Sequence, residues 1–165
     1  MYRSILFSTT FLLLLVVFGL FPALAQGKRI QIGIEDNESR IFSLVNRERT
    51  RSGLPSLEWS ARLADLARSY SGKMAREGFF DHIDGNGESV VDRARHSHIS
   101  GWSKIGENLF ECEPTNELPG LAVRGWMRSA THRENILDPD WQATGIGIAL
   151  DKNGEIYITE VFAAG

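Results

Sequence analysis

Three things are scarce in this sequence: cysteine, an excess of basic charge, and apolar runs beyond the N-terminus. Cys112 is the only cysteine among 165 residues, so no internal disulfide can form. A lone cysteine of this kind reads as a small buried apolar residue, since free cysteines are among the most buried residue types. Lys and Arg total 18 against 21 Asp and Glu, a net charge of −3. That balance argues against a general nucleic-acid binder, which carries a clustered basic face. After Ala25 no stretch is apolar enough to span a bilayer. Repeats, low-complexity tracts and complete local catalytic motifs are absent as well. The length indicates one domain, large enough to bury a core without a metal or a disulfide.

What is present begins with an export signal at residues 1–25. Arg3 supplies the positive start, Phe11 to Phe18 an unbroken apolar core, and Gly19 and Pro22 break the helix before Ala23-Leu24-Ala25. That tripeptide has the small-x-small form that signal peptidase accepts. A retained anchor is the alternative, because the uncharged stretch from Ile5 to Ala25 is of spanning length. Cleavage after Ala25 removes Arg3 and takes the net charge from −3 to −4. With no lipid-attachment cysteine behind it, the product is expected to be secreted or periplasmic, soluble and monomeric.

Residues 26–37 read as a polar lead-in, with an extended piece at Ile30, Ile32 and Ile34. Ile41, Leu44 and Val45 fall at i, i+3 and i+4, one face of a helix over Glu38–Arg51 that Gly53 and Pro55 end. A longer stripe of Leu63, Leu66, Ala67, Tyr70 and Met74 predicts a helix from Leu57 to Gly78. Phe79 to Gly87 is a loop, Ser89 to Arg95 a short helix, Lys104 to Phe110 a strand interrupted at Gly106-Glu107, and Pro119 to Ser129 a third main helix. Two strands, Ala143 to Leu150 and Glu155 to Phe162, flank Asp151-Lys152-Asn153-Gly154. Asn-Gly there is a hairpin signal because both residues tolerate positive φ. Helices followed by a hairpin and a third strand indicate an α+β layered domain.

Four segments, taken in order, resemble the CAP superfamily (cysteine-rich secretory protein, antigen 5, pathogenesis-related), and in particular its short bacterial members. They are Leu44 to Arg49 with Gly53-Leu54-Pro55 and Leu57; Phe80-Asp81-His82; Gly106-Glu107-Asn108-Leu109; and Trp126 to Ser129 with His132 to Leu137 and Gly145-Ile146-Gly147. The resemblance spans most of residues 38–165 and implies a three-layer α-β-α sandwich, with a small antiparallel sheet between helices. It further implies an open cleft with His82, Glu107, Asn108, Ser129 and His132 as its binding residues. Better-studied members carry a second glutamate where Ser129 stands here.

Two imidazoles and a carboxylate can hold Zn²⁺ with a position open for water. His82, Glu107 and His132 form that candidate set, with zinc bound weakly for want of the second acid. The alternative is a hydrogen-bonded cluster in which Glu107 orients one imidazole and fixes its tautomer. Ser129 and His132, three apart, would be a nucleophile and base only with an orienting third group, and none is evident. Ser129 is expected to cap a turn instead. Arg93 to His98 reads as a solvated basic surface, Arg133 and Asn135 as ties to the sheet, and Trp126 and Trp141 as core. On this reading the protein is a binding or interaction module for an extracellular ligand, a lipid or sterol in kind, or a cell-surface protein. The alternative is a metal-assisted hydrolase using His82, Glu107 and His132. The incomplete catalytic set favours binding.

Overall fold

A computed structural model describes the chain over residues 23–165, with side chains from residue 33. The expected signal therefore lies outside the described residues up to residue 22. Nine elements follow in order: α1 (Ala23–Arg51), β1 (Glu58–Trp59), α2 (Ala61–Glu77), α3 (Val90–His96), β2 (Lys104–Cys112), α4 (Leu118–Arg128), α5 (Ala130–Ile136), β3 (Ala143–Leu150) and β4 (Ile156–Ala164). The sheet order is β1-β3-β4-β2. β3–β4 and β4–β2 pair antiparallel, while the two residues of β1 run parallel to β3. Helices α2 and α3 cover one face, and α1, α4 and α5 the other. This is the α-β-α sandwich.

The alternation of the strands decides what each layer sees. On β4, Ile156, Ile158 and Phe162 join Ile41, Val45, Trp126 and Trp141 in the larger core. Val161 and Tyr157 point the other way, toward Leu63, Leu66 and Tyr70, Met74 respectively. Leu63, Leu66, Tyr70 and Met74 are all buried on α2, as the stripe predicts. Trp126 and Trp141 are core, with Trp126 Nε1 donating to the Leu109 carbonyl at 2.9 Å. Cys112 is half-buried at the edge of the larger core, and burial pushes its thiol pKa up.

Several elements differ from the sequence expectation. The lead-in is helical rather than extended: α1 runs through it, and Ile34 sits seven residues before Ile41, so both meet the same core. α2 starts at Ala61, not Leu57, because Glu58 and Ser60 donate to the carbonyls of Gln142 and Thr144 as a sheet edge. Ser60 then caps the helix with its hydroxyl, and Gly78, at φ 69°, closes it. β2 is continuous. Gly106 belongs there because a Cβ would fall 2.9 Å from the Trp141 ring. In the β3–β4 turn only Gly154 takes a positive φ; Asp151 Oδ1 holds the loop by accepting from the N–H groups of Asn153 and Glu155.

Candidate functional site

The loop before α3 carries His82, and a dense set of polar contacts fixes it. Asp84 is buried and accepts from Lys73 Nζ at 2.6 Å and from the backbone of Asn86 and Glu88. Those donors, Lys73 foremost, hold its carboxyl down at about 2. Tyr70 donates its hydroxyl to the Asp81 carbonyl at 2.5 Å. Ser89 and Asp92 form a reciprocal capping box that starts α3 immediately behind the loop.

Glu107 stands on β2, the sheet edge nearest this loop, and is buried. Its Oε1 meets His82 Nδ1 at 2.9 Å, and its Oε2 accepts from Arg93 Nη2 at 2.7 Å. Arg93, which the sequence reading placed on a solvated surface, is buried instead. Its guanidinium lies 3.3 Å from the Tyr70 ring centroid and also donates to the carbonyls of His82 and Glu88. A buried carboxylate needs a partner, and Arg93 is that partner. Burial of Tyr70 pushes its hydroxyl up to about 12, so it remains a neutral donor. Arg95, His96 and His98, by contrast, are exposed.

His132 stands on α5. Asn108, expected among the binding residues, is fully buried and holds the His132 segment in place. Its amide donates to the His132 carbonyl at 3.1 Å and accepts from Asn135 at 3.0 Å, while Asn135 also donates to the Glu107 carbonyl. Asn135 thus ties α5 to the sheet, whereas the Arg133 side chain donates to the Met127 carbonyl. The His132 imidazole is half-buried and makes no hydrogen bond to the described residues. Ser129 breaks the helix between α4 and α5 in an extended conformation, and its hydroxyl makes neither a capping bond nor a bond to His132. The Ser–His pairing falls away; Ser129 does cap the turn between the two helices, but through its backbone, its N–H donating to the Gly125 and Trp126 carbonyls and its carbonyl accepting from Arg133 N–H.

The two histidines titrate in opposite directions. The hydrogen bond to Glu107 raises the His82 pKa above 6.5. Burial, and then the charge of His82 itself, lowers that of His132. The site therefore combines an exposed His82, held through Nδ1, and a half-buried His132 whose charged form is disfavoured. Phe80 and Ile83, 40% and 48% exposed, lie beside His82 in the same loop.

This cleft sits on a chain whose residues 42–162 match the cysteine-rich secretory protein family, CAP. The chain belongs to that family. Among curated proteins it is 33% identical to YkwD of Bacillus subtilis (strain 168) over 120 residues, 73% of this chain and 44% of that protein. It is 32% identical to the membrane protein YlbC of the same organism, over 68% of this chain and 31% of that one. The chain thus spans less than half the length of these relatives. Among solved structures, an extracellular SCP-domain protein from Bacillus anthracis str. Ames superposes with a TM-score of 0.68 at 28% identity, covering 80% of this chain and 41% of that one. An outer surface protein of Borrelia burgdorferi shares the fold, with a TM-score of 0.69 at 19% identity over 78% of this chain and 92% of that one.

Membership of the CAP family raises the question of a metal. Among the described residues no three His, Cys, Asp or Glu side chains form a group able to hold an ion. Both Glu107 oxygens are engaged, one by the cationic Arg93, so this carboxylate has little charge left to offer Zn²⁺. The zinc ligand set expected from the sequence is not assembled in this geometry.

Proposed function

We propose that this CAP domain is an extracellular binding module and that its cleft takes an amphipathic ligand of lipid or sterol kind. The observation that carries this reading is the closed Arg93–Glu107–His82 chain. It spends the carboxylate on orienting one imidazole instead of leaving it open as a metal ligand or general base. In this reading His82 presents Nε2 to a polar group of the ligand, and Phe80 and Ile83 cover its apolar part. The extracellular and outer-surface relatives support an exported setting, as does the signal-like segment at residues 1–25.

The test is organic extraction of the exported protein followed by mass spectrometry, in the native form and in a Phe80→Ser, Ile83→Ser variant. An apolar compound should accompany the native protein and be lost from the variant. A parallel titration with Zn²⁺ near neutral pH should show only weak binding. Tight native binding abolished by His132→Ala would overturn the binding-module reading and favour the metal-assisted hydrolase.

A further inference from the structure

The net negative charge of the chain conceals a basic groove on the helical layer away from the cleft. Arg47 and Arg51 project from the last turns of α1, and Arg124 and Arg128 from the end of α4. All four are exposed and line one groove of about 420 Å³, with Leu44 and Met127 among its apolar lining. Arg51 pairs with Glu48 at 3.0 Å. Arg47, Arg124 and Arg128 have no carboxylate partner among the described residues, although acids outnumber bases in the chain. Like charges usually disperse over a surface; three unpaired guanidiniums gathered at one groove are unfavourable without a counter-charge. The guanidinium of Arg124 lies over Gly120, where a Cβ would come within 2.7 Å of Nη1. The missing side chain makes room for it.

The spacing narrows the class of ligand. Each pair is i, i+4, about 6 Å apart along its helix, so the groove presents two rungs of two cations. A single small anion meets one rung. A linear chain with anions repeated at about that interval meets both. Guanidinium forks match phosphate oxygens in two-pronged fashion, which favours phosphate as the repeated group. Nucleic acid fits less well, because no aromatic side chain lines the groove to stack a base. A membrane surface also fits less well: at 1.5 Å per residue Arg47 lies about 33 Å along α1 from Ala25, where the N-terminal apolar stretch ends. We infer that the Arg47–Arg51–Arg124–Arg128 groove docks a linear, phosphate-bearing polyanion, independently of the histidine cleft.

The probe is medium-chain inorganic polyphosphate, titrated against the full chain at several salt concentrations. Binding should be saturable, and log K should fall with log salt with a slope of about −2 to −3, as release of the ions held by several phosphates requires. Arg47→Gln with Arg124→Gln should weaken it at least tenfold and flatten the slope. The same two positions as Lys should recover most of the affinity, and Arg62→Gln with Arg76→Gln, away from the groove, should change nothing. The inference fails if the native chain does not bind, or if the distant pair weakens binding as much as the groove pair. It fails equally if orthophosphate competes as well as the polymer, or if single-stranded DNA or anionic phospholipid vesicles bind more tightly than polyphosphate.

Discussion

At the cleft, two imidazoles share one region of space and only one has a carboxylate. His82 gains a hydrogen bond to Glu107, so its folded-state pKa lies above its unfolded value; His132 gains only burial and a like-charged neighbour, so its pKa lies below. The stabilisation from His82 is complete below about pH 6.5 and lost as pH rises through its raised value. His132 opposes this, destabilising the fold as pH falls below about 6.5. Between the two values His82 is the protonated one of the two imidazoles. Heteronuclear NMR titration should show His132 losing its proton at lower pH than His82. Because the Arg93 charge lowers the His82 pKa, Arg93→Gln should move His82 further up; a downward move would show that losing Arg93 loosens the Glu107–His82 hydrogen bond and that this outweighs the lost charge. His82, Glu107 and His132 were legible in the sequence because each sits in a recognisable short segment. Arg93 and Tyr70 were not: one lay in a basic run and the other in an apolar stripe, and neither pattern reveals that a cation stacks on a ring beneath a carboxylate. The available hint was Glu107 itself, an acid in a strand that buries one face and so needs a cation.

The layer spacing between α2 and the sheet is set by two glycines of β3. An added Cβ at Gly145 would lie 2.1 Å from the backbone nitrogen of Ala64, and one at Gly147 only 2.0 Å from that of Arg68. Helix backbone, not a pliable side chain, fills that space, so no rotamer change relieves the clash. Gly147→Ala must therefore push α2 outward and open the packing around Leu66, Ala67 and Val161. Leu66→Ala, which leaves the spacing intact, should cost about 2–5 kcal/mol in chemical denaturation. Gly147→Ala should cost more than Leu66→Ala; a smaller effect would mean that α2 is not held against β3 at this distance. Periodicity located α2, β3 and β4 within a few residues, because each has one or both faces buried. It misplaced what depends on distant partners. The two-residue strand β1 exists only because β3 offers an edge, and α1 extends through a polar segment because Ile34 reaches the core that Ile41 occupies.

The larger core, shared by α1, α4, α5 and the sheet, encloses two ionisable groups that no hydropathy pattern marks. Arg49 is fully buried and donates to the carbonyls of Pro55, Ile136 and Asp138, so one side chain joins the end of α1, the turn after it and the segment after α5. Glu160, in the middle of β4, is also fully buried. It receives a 3.3 Å hydrogen bond from Thr144 on one oxygen and, among the described residues, has no partner on the other. The Arg49 charge is close enough to favour the carboxylate form, yet desolvation wins and lifts the Glu160 pKa to about 8. Glu160 is then neutral in the folded protein at pH 7 and ionised in the unfolded chain. A raised carboxyl pKa gives stability that is fully present below the unfolded value, near 4.5, and is lost as pH rises to about 8. Glu160→Gln keeps the shape and removes the titration. The variant should lose little stability at pH 4.5 and overtake the native protein progressively up to pH 8, by an amount on the order of a few kcal/mol after allowing for local relaxation. Urea unfolding of both proteins across that range measures it. Parallel curves would mean that Glu160 is ionised in the folded state, with Arg49 outweighing burial as its dominant neighbour.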